Sequence, residues 1–330
     1  MFRAAGVEAE AIPTAGPGTA AEQALQLAAG GCEAIIACGG DGTVHEAMQQ
    51  IVAQRTPVAL GTLPLGTGNG LAAELGIPRA PRRGAEALLR FQPRRIPVGR
   101  VESTLVASTA APVWTRATSP ARPNAKSLND PTGESPASTQ SSSAVARYFI
   151  IAAGAGADAE IIYRLSLGMK RRLGVTAYYI AGLQLFCAHR FVPFELELRA
   201  LDGSVRRDVA GQLAIARIAN FGGAMRTLVP RGALTGAELR LVYFRTPRRW
   251  PLLRHAVAAS VDRFWNIPTM EIASATEVTC RPLAADVALE APWRGLDAAR
   301  RVYTQADGEL LGGLPARFSL VPDALTLLMP

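Results

Sequence analysis

An apolar run, Ala34-Ile35-Ile36-Ala37-Cys38, breaks into Gly39-Gly40-Asp41-Gly42-Thr43 and continues with helical character through Val44-His45-Glu46-Ala47. A buried strand, a glycine loop and a helix, in that order, is how α/β proteins seat a phosphate. Missing Cβ atoms let backbone N–H groups turn toward the anion, and the helix N-terminus adds its dipole. A carboxylate in such a loop would repel a phosphate. Asp41 therefore makes sense with a metal ion between the two, or as a group that handles a proton. The plainer alternative is a tight turn whose aspartate caps the next helix.

The design repeats. Pro57 to Leu63 is again an apolar strand, Pro64-Leu65-Gly66-Thr67-Gly68-Asn69-Gly70 a loop, and Leu71 to Gly76 a helix. Two such loops at successive strand ends lie side by side on the carboxyl edge of one parallel sheet, where open α/β sheets bind ligands. Thr67 and Asn69 carry side chains suited to phosphate or ribose oxygens.

The chain of 330 residues suits two domains with substantial cores. Its net charge of +8 favours anionic partners: nucleic acid, acidic lipid surfaces or polyphosphates. An aromatic content of 6%, with no stacking motif, argues against nucleic acid. Cys32, Cys38, Cys187 and Cys280 show no metal-ligand spacing, and Cys38, ending a buried strand, reads as a reduced core thiol. No apolar run reaches the roughly 18–20 residues of a membrane span, and no signal peptide opens the chain. These features predict a cytoplasmic protein that visits membrane surfaces.

Alternation predicts a strand over Gly6–Pro13, and composition an Ala-rich helix over Thr19–Ala29. A helix over Pro81–Phe91 and a strand over Arg94–Glu102 follow. Arg79, Arg82, Arg83, Arg90, Arg94, Arg95 and Arg100 form a basic stretch, read as a solvated face, with headgroup contact as the alternative. Residues 103–146, rich in Ser, Thr, Ala and Pro, read as a disordered insertion. The strand Arg147–Gly156 leads to Asp158 in a small-residue loop, a helix over Glu160–Leu167 and a longer one from Lys170 to His189. From Phe194 the texture is β, with Asp202-Gly203 as a hairpin turn and strands over Gln212–Ala219, Glu238–Phe244, Met270–Ala273, Glu277–Arg281, Val287–Glu290 and Ala316–Val321. Arg248–Trp265 is the one clear late helix. The predicted fold is an α/β domain with a parallel sheet over 1–101, joined to an antiparallel β-sandwich over 147–305. Residues 306–330 return to the cleft and the first domain.

Several motifs carry a family resemblance. They are Gly39-Gly40-Asp41-Gly42-Thr43 with Glu46, and Leu63-Pro64-Leu65-Gly66-Thr67-Gly68-Asn69 with Leu75-Gly76-Ile77-Pro78. The series continues with Ala153-Gly154-Ala155-Gly156-Ala157-Asp158-Ala159, Lys170-Arg171-Arg172-Leu173-Gly174 with Tyr178, Ala219-Asn220 with Gly222-Gly223 and Pro230, and Gln305-Ala306-Asp307-Gly308-Glu309. In this order they resemble the diacylglycerol kinase catalytic family, which includes sphingosine kinases and bacterial phospholipid kinases. The resemblance implies an ATP- and Mg²⁺-dependent lipid kinase with an NAD-kinase/lipid-kinase-like first domain and a lipid-binding second one. It implies catalytic roles for Asp41, Asp158 and Glu309, with Glu309 as general base or its orienter and Asp41 and Asp158 arranging the metal. Gly39, Gly40, Gly42, Thr43, Gly66, Thr67, Asn69 and Asp307 would hold ATP. The implied partners are a lipid alcohol, diacylglycerol- or sphingoid-like, and an anionic membrane surface, without nucleic acid and with room for a homodimer. A catalytically weak nucleotide- or lipid-binding homologue is the alternative, and a soluble NAD-kinase-like enzyme a further one; Gly66-Thr67-Gly68-Asn69 argues against the last.

The chain departs from the family pattern in four places. The family opens one strand earlier, with an Asn-Pro-x-Ser-Gly-type loop, and without that strand a sheet edge would be exposed. A misplaced start codon, a truncated gene or a protein lacking the strand would each account for this. His45 replaces the usual Asn and reads as a surface or capping residue. Gly70 stands where Asp is frequent. Leu234-Thr235-Gly236-Ala237 replaces an Asp-Asp-Gly segment that in some bacterial members builds a structural Mg²⁺ site, so that site is expected to be weak or missing. His189 and His255 read as structural.

Overall fold

The computed structural model describes residues 2–104, 144–157, 159, 191–221, 228–230, 232–261, 263, 266–284, 292–294, 296 and 300–330. Asp158, the helices read over Glu160–Leu167 and Lys170–His189, Cys187, Gly222-Gly223 and the strand read over Val287–Glu290 lie outside the described residues, as do 105–143 of the insertion.

The first domain stacks helices on a small sheet. Helix α1 (Ala20–Ala29) packs beside α2 (Asp41–Ala53), and β1 (Ala34–Gly39) pairs in parallel with β2 (Ala59–Pro64), Ile35 opposite Leu60. Two short helices follow, α3 (Gly70–Glu74) and α4 (Pro81–Leu88), the latter with Pro81 at its first turn, where a missing N–H costs nothing. No strand forms over Gly6–Pro13, whose residues are largely exposed and lie on no ladder. Alternation alone cannot make a strand without a neighbour to receive its backbone groups.

The second domain is antiparallel throughout. It comprises β4 (Ala144–Phe149), β5 (Ala152–Ala155), β6 (Phe194–Arg199), β7 (Val205–Ala210), β8 (Gln212–Ala216), β9 (Leu239–Phe244), helix α5 (Arg249–Ser260), β10 (Met270–Ala275), β11 (Glu277–Pro282) and β12 (Tyr303–Ala306). Two long strands, β3 (Gln92–Thr104) and β13 (Glu309–Met329), run through both domains. Strand order is β10-β9-β8-β5-β12-β13-β11-β6-β7, with β3 pairing β13 and β4. The far end of β13 also pairs in parallel with β2, at Thr326 opposite Ala59. The N-terminal sheet is therefore mixed: β1, β2 and the tail of β13 are parallel, while β3 runs antiparallel to β13.

The β3–β13 ribbon explains how one chain carries two cores. Ile96 and Val98 of β3 belong to a core with Met48, Ile51, Leu60 and Leu71, whereas Val101 belongs to a second core with Phe149, Phe194, Leu213, Tyr243 and Phe318. Side chains alternate along a strand, so even-numbered Ile96 and Val98 face away from odd-numbered Val101. On β13 the switch comes at the irregularity between Val321 and Leu325, which separates Ala316 and Phe318 from Leu325 and Leu327. A bulge that flips the parity turns the ribbon from one core to the other. The insertion leaves and re-enters where Thr104 pairs with Ala144, so its base is closed by the β3–β4 ladder. That ladder carries Ser103–Thr104 and Ala144–Ala146, which shortens the insertion at both ends relative to the sequence reading.

Cys38 is exposed, not a core thiol, because β1 has β2 as its single strand neighbour among the described residues and only Ala37 of β1 is buried. Cys32 is half-buried and Cys280 buried. Part of the arginine stretch is satisfied internally: Arg82 by Glu86, Arg100 by Glu102 and Arg95 by Thr326 and the Asp323 carbonyl.

Against the Leu234–Ala237 segment lies a cation that belongs to the chain itself. Arg217, 1% exposed, donates from Nη1 to the carbonyls of Gly236 and Glu238, both at 3.0 Å, and from Nη2 to those of Pro97 at 3.2 Å and Leu234. Burial pulls its pKa down to about 10, so it remains charged at neutral pH. The guanidinium ties β3 to the approach to β9. Arg217→Met is expected to lower unfolding free energy by about 2–4 kcal/mol, as carbonyls that lose a donor cost roughly 1–3 kcal/mol each, offset by relief of the desolvated charge. Denaturant titration measures this.

Candidate active site

Helix α2 presents three polar side chains one turn apart, and each reaches a different part of the molecule. Asp41, in the first turn, accepts the backbone N–H of Gly70 at 2.8 Å on Oδ2 and that of Leu71 at 3.3 Å on Oδ1. These N–H groups open α3 and have no partner within that helix. His45 places Nδ1 3.1 Å from Asp307 Oδ2. Gln49 pairs with the Tyr148 peptide of β4 as a strand would, accepting its N–H at 3.0 Å and donating to its carbonyl at 2.8 Å. Spacing of four residues puts all three on one helix face.

Asp307 and Gly308 join β12 to β13 with φ of 48° and 83°. Positive φ at both central residues marks the type I′ hairpin turn that an Asp-Gly pair favours. The Asp307 carboxylate accepts three successive N–H groups: Ile150 at 2.9 Å, Ile151 at 2.8 Å and Ala152 at 2.9 Å. Its side chain is fully buried, so three backbone donors and His45 consume its hydrogen-bonding capacity. His45 itself is buried, not the surface residue read from the sequence, because Asp307 and the β4 edge close over it. Burial pulls the His45 pKa down, but the hydrogen bond and charge of Asp307, with Glu309, carry it above its usual value.

Glu309, the first residue of β13, sits opposite Ala306 and is half-buried. Arg147 on β4 lies within its field: burial lowers the Arg147 pKa and Glu309 works against that. The cluster thus joins two acids with two bases. Burial also raises the Asp41 pKa above its ordinary value; the N–H groups of Gly70, Leu71 and Asn69 oppose this and the Asp307 charge adds to it.

The two glycine loops interlock. The N–H groups of Leu65 and Gly66 donate to the Gly39 carbonyl at 2.9 and 3.2 Å. A Cβ on Gly66 would stand 2.5 Å from Gly40 Cα, closer than any real contact. Asn69, left-handed at φ 63°, accepts the Gly66 N–H at 3.2 Å and donates to the Gly66 carbonyl at 2.6 Å. Buried and so engaged, its side chain shapes the loop. Thr43 is turned back against Gly39. Gly42, Thr67 and Gly68 are exposed, with open space where a Gly42 Cβ would be. A phosphate chain fits this face, beside the first turn of α2.

Of the residues singled out from sequence, Asp41, Gly39, Gly40, Gly42, Thr43, Gly66, Thr67 and Asn69 meet at the paired loops, and Asp307 and Glu309 lie across α2 from them. Sequence reasoning missed His45, Gln49, Arg147 and Glu74. Glu74 accepts the N–H groups of Ala219 at 3.0 Å and Asn220 at 2.7 Å, tying α3 to the loop after β8. The one available signal was spacing, with His45 and Gln49 four and eight residues after Asp41. Among the described residues no group of three His, Cys, Asp or Glu side chains could hold a metal, and no helix is long and apolar enough to cross a membrane. Magnesium, commonly bound through one or two carboxylates plus substrate phosphates, fits Asp41, whose oxygens each accept one N–H and keep lone pairs.

Comparison with known proteins supplies the class. The family described as the diacylglycerol kinase catalytic domain matches residues 1–101, and the YegS C-terminal NAD kinase beta sandwich-like domain matches residues 151–329. The chain belongs to the diacylglycerol kinase family of lipid-kinase phosphotransferases. It is 24% identical to a diacylglycerol kinase of Bacillus subtilis (strain 168), over 100% of this chain and 88% of that protein. It is 27% identical to "Probable lipid kinase YegS-like" of Chromohalobacter salexigens, over 93% of this chain and 79% of that protein. A crystal structure described as a diacylglycerol kinase from Bacillus anthracis (strain Sterne) superposes with a TM-score of 0.62 at 14% identity, covering 99% of this chain and 88% of that one.

Two outcomes test the geometry. Gly66→Ala is expected to force the two loops apart and lower unfolding free energy by about 1–3 kcal/mol, read by denaturant titration followed by circular dichroism. The raised His45 pKa means the His45–Asp307 pair stabilises the fold fully below about pH 6.5, and that contribution fades as pH rises through the higher folded-state value. His45→Gln is expected to remove this part of the pH dependence, measured as melting temperature against pH.

Proposed function

We propose that the chain is an ATP- and Mg²⁺-dependent lipid kinase that moves the γ-phosphate to the hydroxyl of a diacylglycerol- or sphingoid-like lipid. One observation carries the reading. A single helix, α2, touches both halves of a transfer site, the interlocked glycine loops through Asp41 and the Asp307–Glu309 turn through His45. Residues 1–101 would hold the nucleotide and the β-rich half the lipid. Gly40, Gly42, Thr43, Gly66 and Thr67 offer the phosphate-binding backbone. Asp41, with Asp158, would hold the metal, which when bound neutralises charge on the phosphates.

Glu309 is assigned the acceptor role. The lipid oxygen forms its bond to the γ-phosphorus, the bond to the β–γ bridging oxygen breaks, ADP departs, and the hydroxyl proton passes to Glu309. Such a transfer demands positioning and charge stabilisation more than covalent help. Arg147 and His45 lie within the field of Glu309, and their positive charge complements its carboxylate. Asp307 is assigned positioning, because its carboxylate is spent on Ile150, Ile151, Ala152 and His45.

The test is ATP turnover with Mg²⁺ on mixed micelles of candidate lipid alcohols. Asp41→Asn, by weakening the metal site, and Glu309→Gln, by removing the proton acceptor, are each expected to lower lipid-dependent turnover by about 10²-fold or more, for Glu309 the usual scale for loss of a general base. ATP binding without lipid-dependent turnover in the unaltered protein would favour a nucleotide-binding homologue instead.

A further inference from the structure

Helix α5 is apolar on both faces. Inward, Leu252 packs with Ala214, Val242 and Phe244, and the His255 ring lies edge-on to Phe244 with Nε2 2.9 Å from the Leu228 carbonyl. Outward, Trp250 is 71% and Val257 43% exposed, and Val261, which caps the helix C-terminus, is 54% exposed. At 3.6 residues per turn these positions, seven and eleven residues after the first, fall within about 40° of one another. A surface helix normally turns polar residues to water, and a stripe of this kind marks a contact surface.

The surroundings are basic. Residues 245–261 contain no Asp or Glu, and Arg248, Arg249 and Arg254 lie among them. Beside the stripe is a mostly apolar hollow of about 420 Å³, walled by Trp250, Ile267, Pro268 and Pro292, with Arg248 and Arg254 also lining it. Guanidinium groups beside an apolar wall suit the junction of lipid phosphates and acyl chains.

We propose that α5 docks the protein on a bilayer of anionic phospholipid. Trp250, Val257 and Val261 enter the boundary between headgroups and acyl chains, and Arg248 and Arg254 meet lipid phosphates beside them. Tryptophan anchors with flanking arginines are the composition of interfacial helices, and the charge is complementary to an acidic leaflet. Leu252 also packs against Ala157 and Phe191, and shares a cluster with Phe221, next to the Asn220 that Glu74 holds. Through this packing α5 is joined to segments that adjoin the site, and the docking itself does not depend on the lipid-kinase reading.

The test is co-sedimentation of the full chain, without ATP, with vesicles of phosphatidylcholine alone or mixed with phosphatidylglycerol. Binding to the mixed vesicles alone is expected. The pairs Trp250→Glu with Val257→Glu, and Arg248→Glu with Arg254→Glu, are each expected to weaken it by about tenfold or more, with unchanged melting temperature. Added inorganic phosphate should leave wild-type binding largely intact. Vesicle binding by the Trp250→Glu, Val257→Glu protein equal to wild type overturns the proposal, as does wild type that binds neither vesicle. So does a wild-type dimer, by light scattering, that these variants split without changing vesicle binding. Turnover on a dispersed short-chain lipid alcohol should survive in all variants. Its absence in wild type defeats the kinase reading while leaving the vesicle result to decide docking.

Discussion

A buried carboxylate held by three consecutive backbone N–H groups fixes the centre of this molecule. Asp307 stands at the tip of the β12–β13 hairpin, yet it organises the break between β4 and β5, where three donors would otherwise point into the interior unsatisfied. The same carboxylate receives His45 from α2. One side chain thus joins the hairpin, the strand break and the helix behind the first glycine loop. Its left-handed backbone, followed by Gly308, aims the carboxylate inward while the next residue, Glu309, starts β13.

The same device recurs around the site. Asp41 closes the N-terminus of α3, Glu74 holds the loop after β8, Gln49 completes the edge of β4 and Glu46 binds the N–H groups of Gly18 and Ala20 at the start of α1. Polar side chains answer backbone groups that no ladder or helix can satisfy. Each bond contributes a modest net stabilisation, about 1 kcal/mol, but leaving a buried partner unmet costs more. The result is a rigid frame in which Gly42, Thr67 and Gly68 are left open. Arg217 applies the same logic with opposite sign, as a cation for carbonyls.

The strand-loop-helix repeats were legible because glycine spacing and apolar runs report local backbone needs directly. The antiparallel texture after Phe194 was legible for the same reason, through alternation and turn pairs such as Asp202-Gly203. What could not be read were contacts between distant residues. Nothing near His45 announces Asp307, 262 positions away. Asn69 looked like a ligand group because its type suits ribose or phosphate, but its conformation turns it onto Gly66. Cys38 looked buried because its strand is apolar, yet burial depends on what covers the strand. The parity switch along the ribbon depends on a bulge at Val321–Leu325 that no local pattern marks.

The central question for the site is whether Asp307 positions Glu309 or binds nucleotide itself. Asp307→Asn keeps the shape while weakening the bonds to Ile150–Ala152 and His45. The measurement is ATP affinity by calorimetry together with kcat for lipid-dependent turnover. The account predicts ATP affinity within a few-fold of wild type and a large fall in kcat. Loss of ATP affinity by about a hundredfold, in a protein that folds and melts normally, would contradict it and make Asp307 a nucleotide ligand.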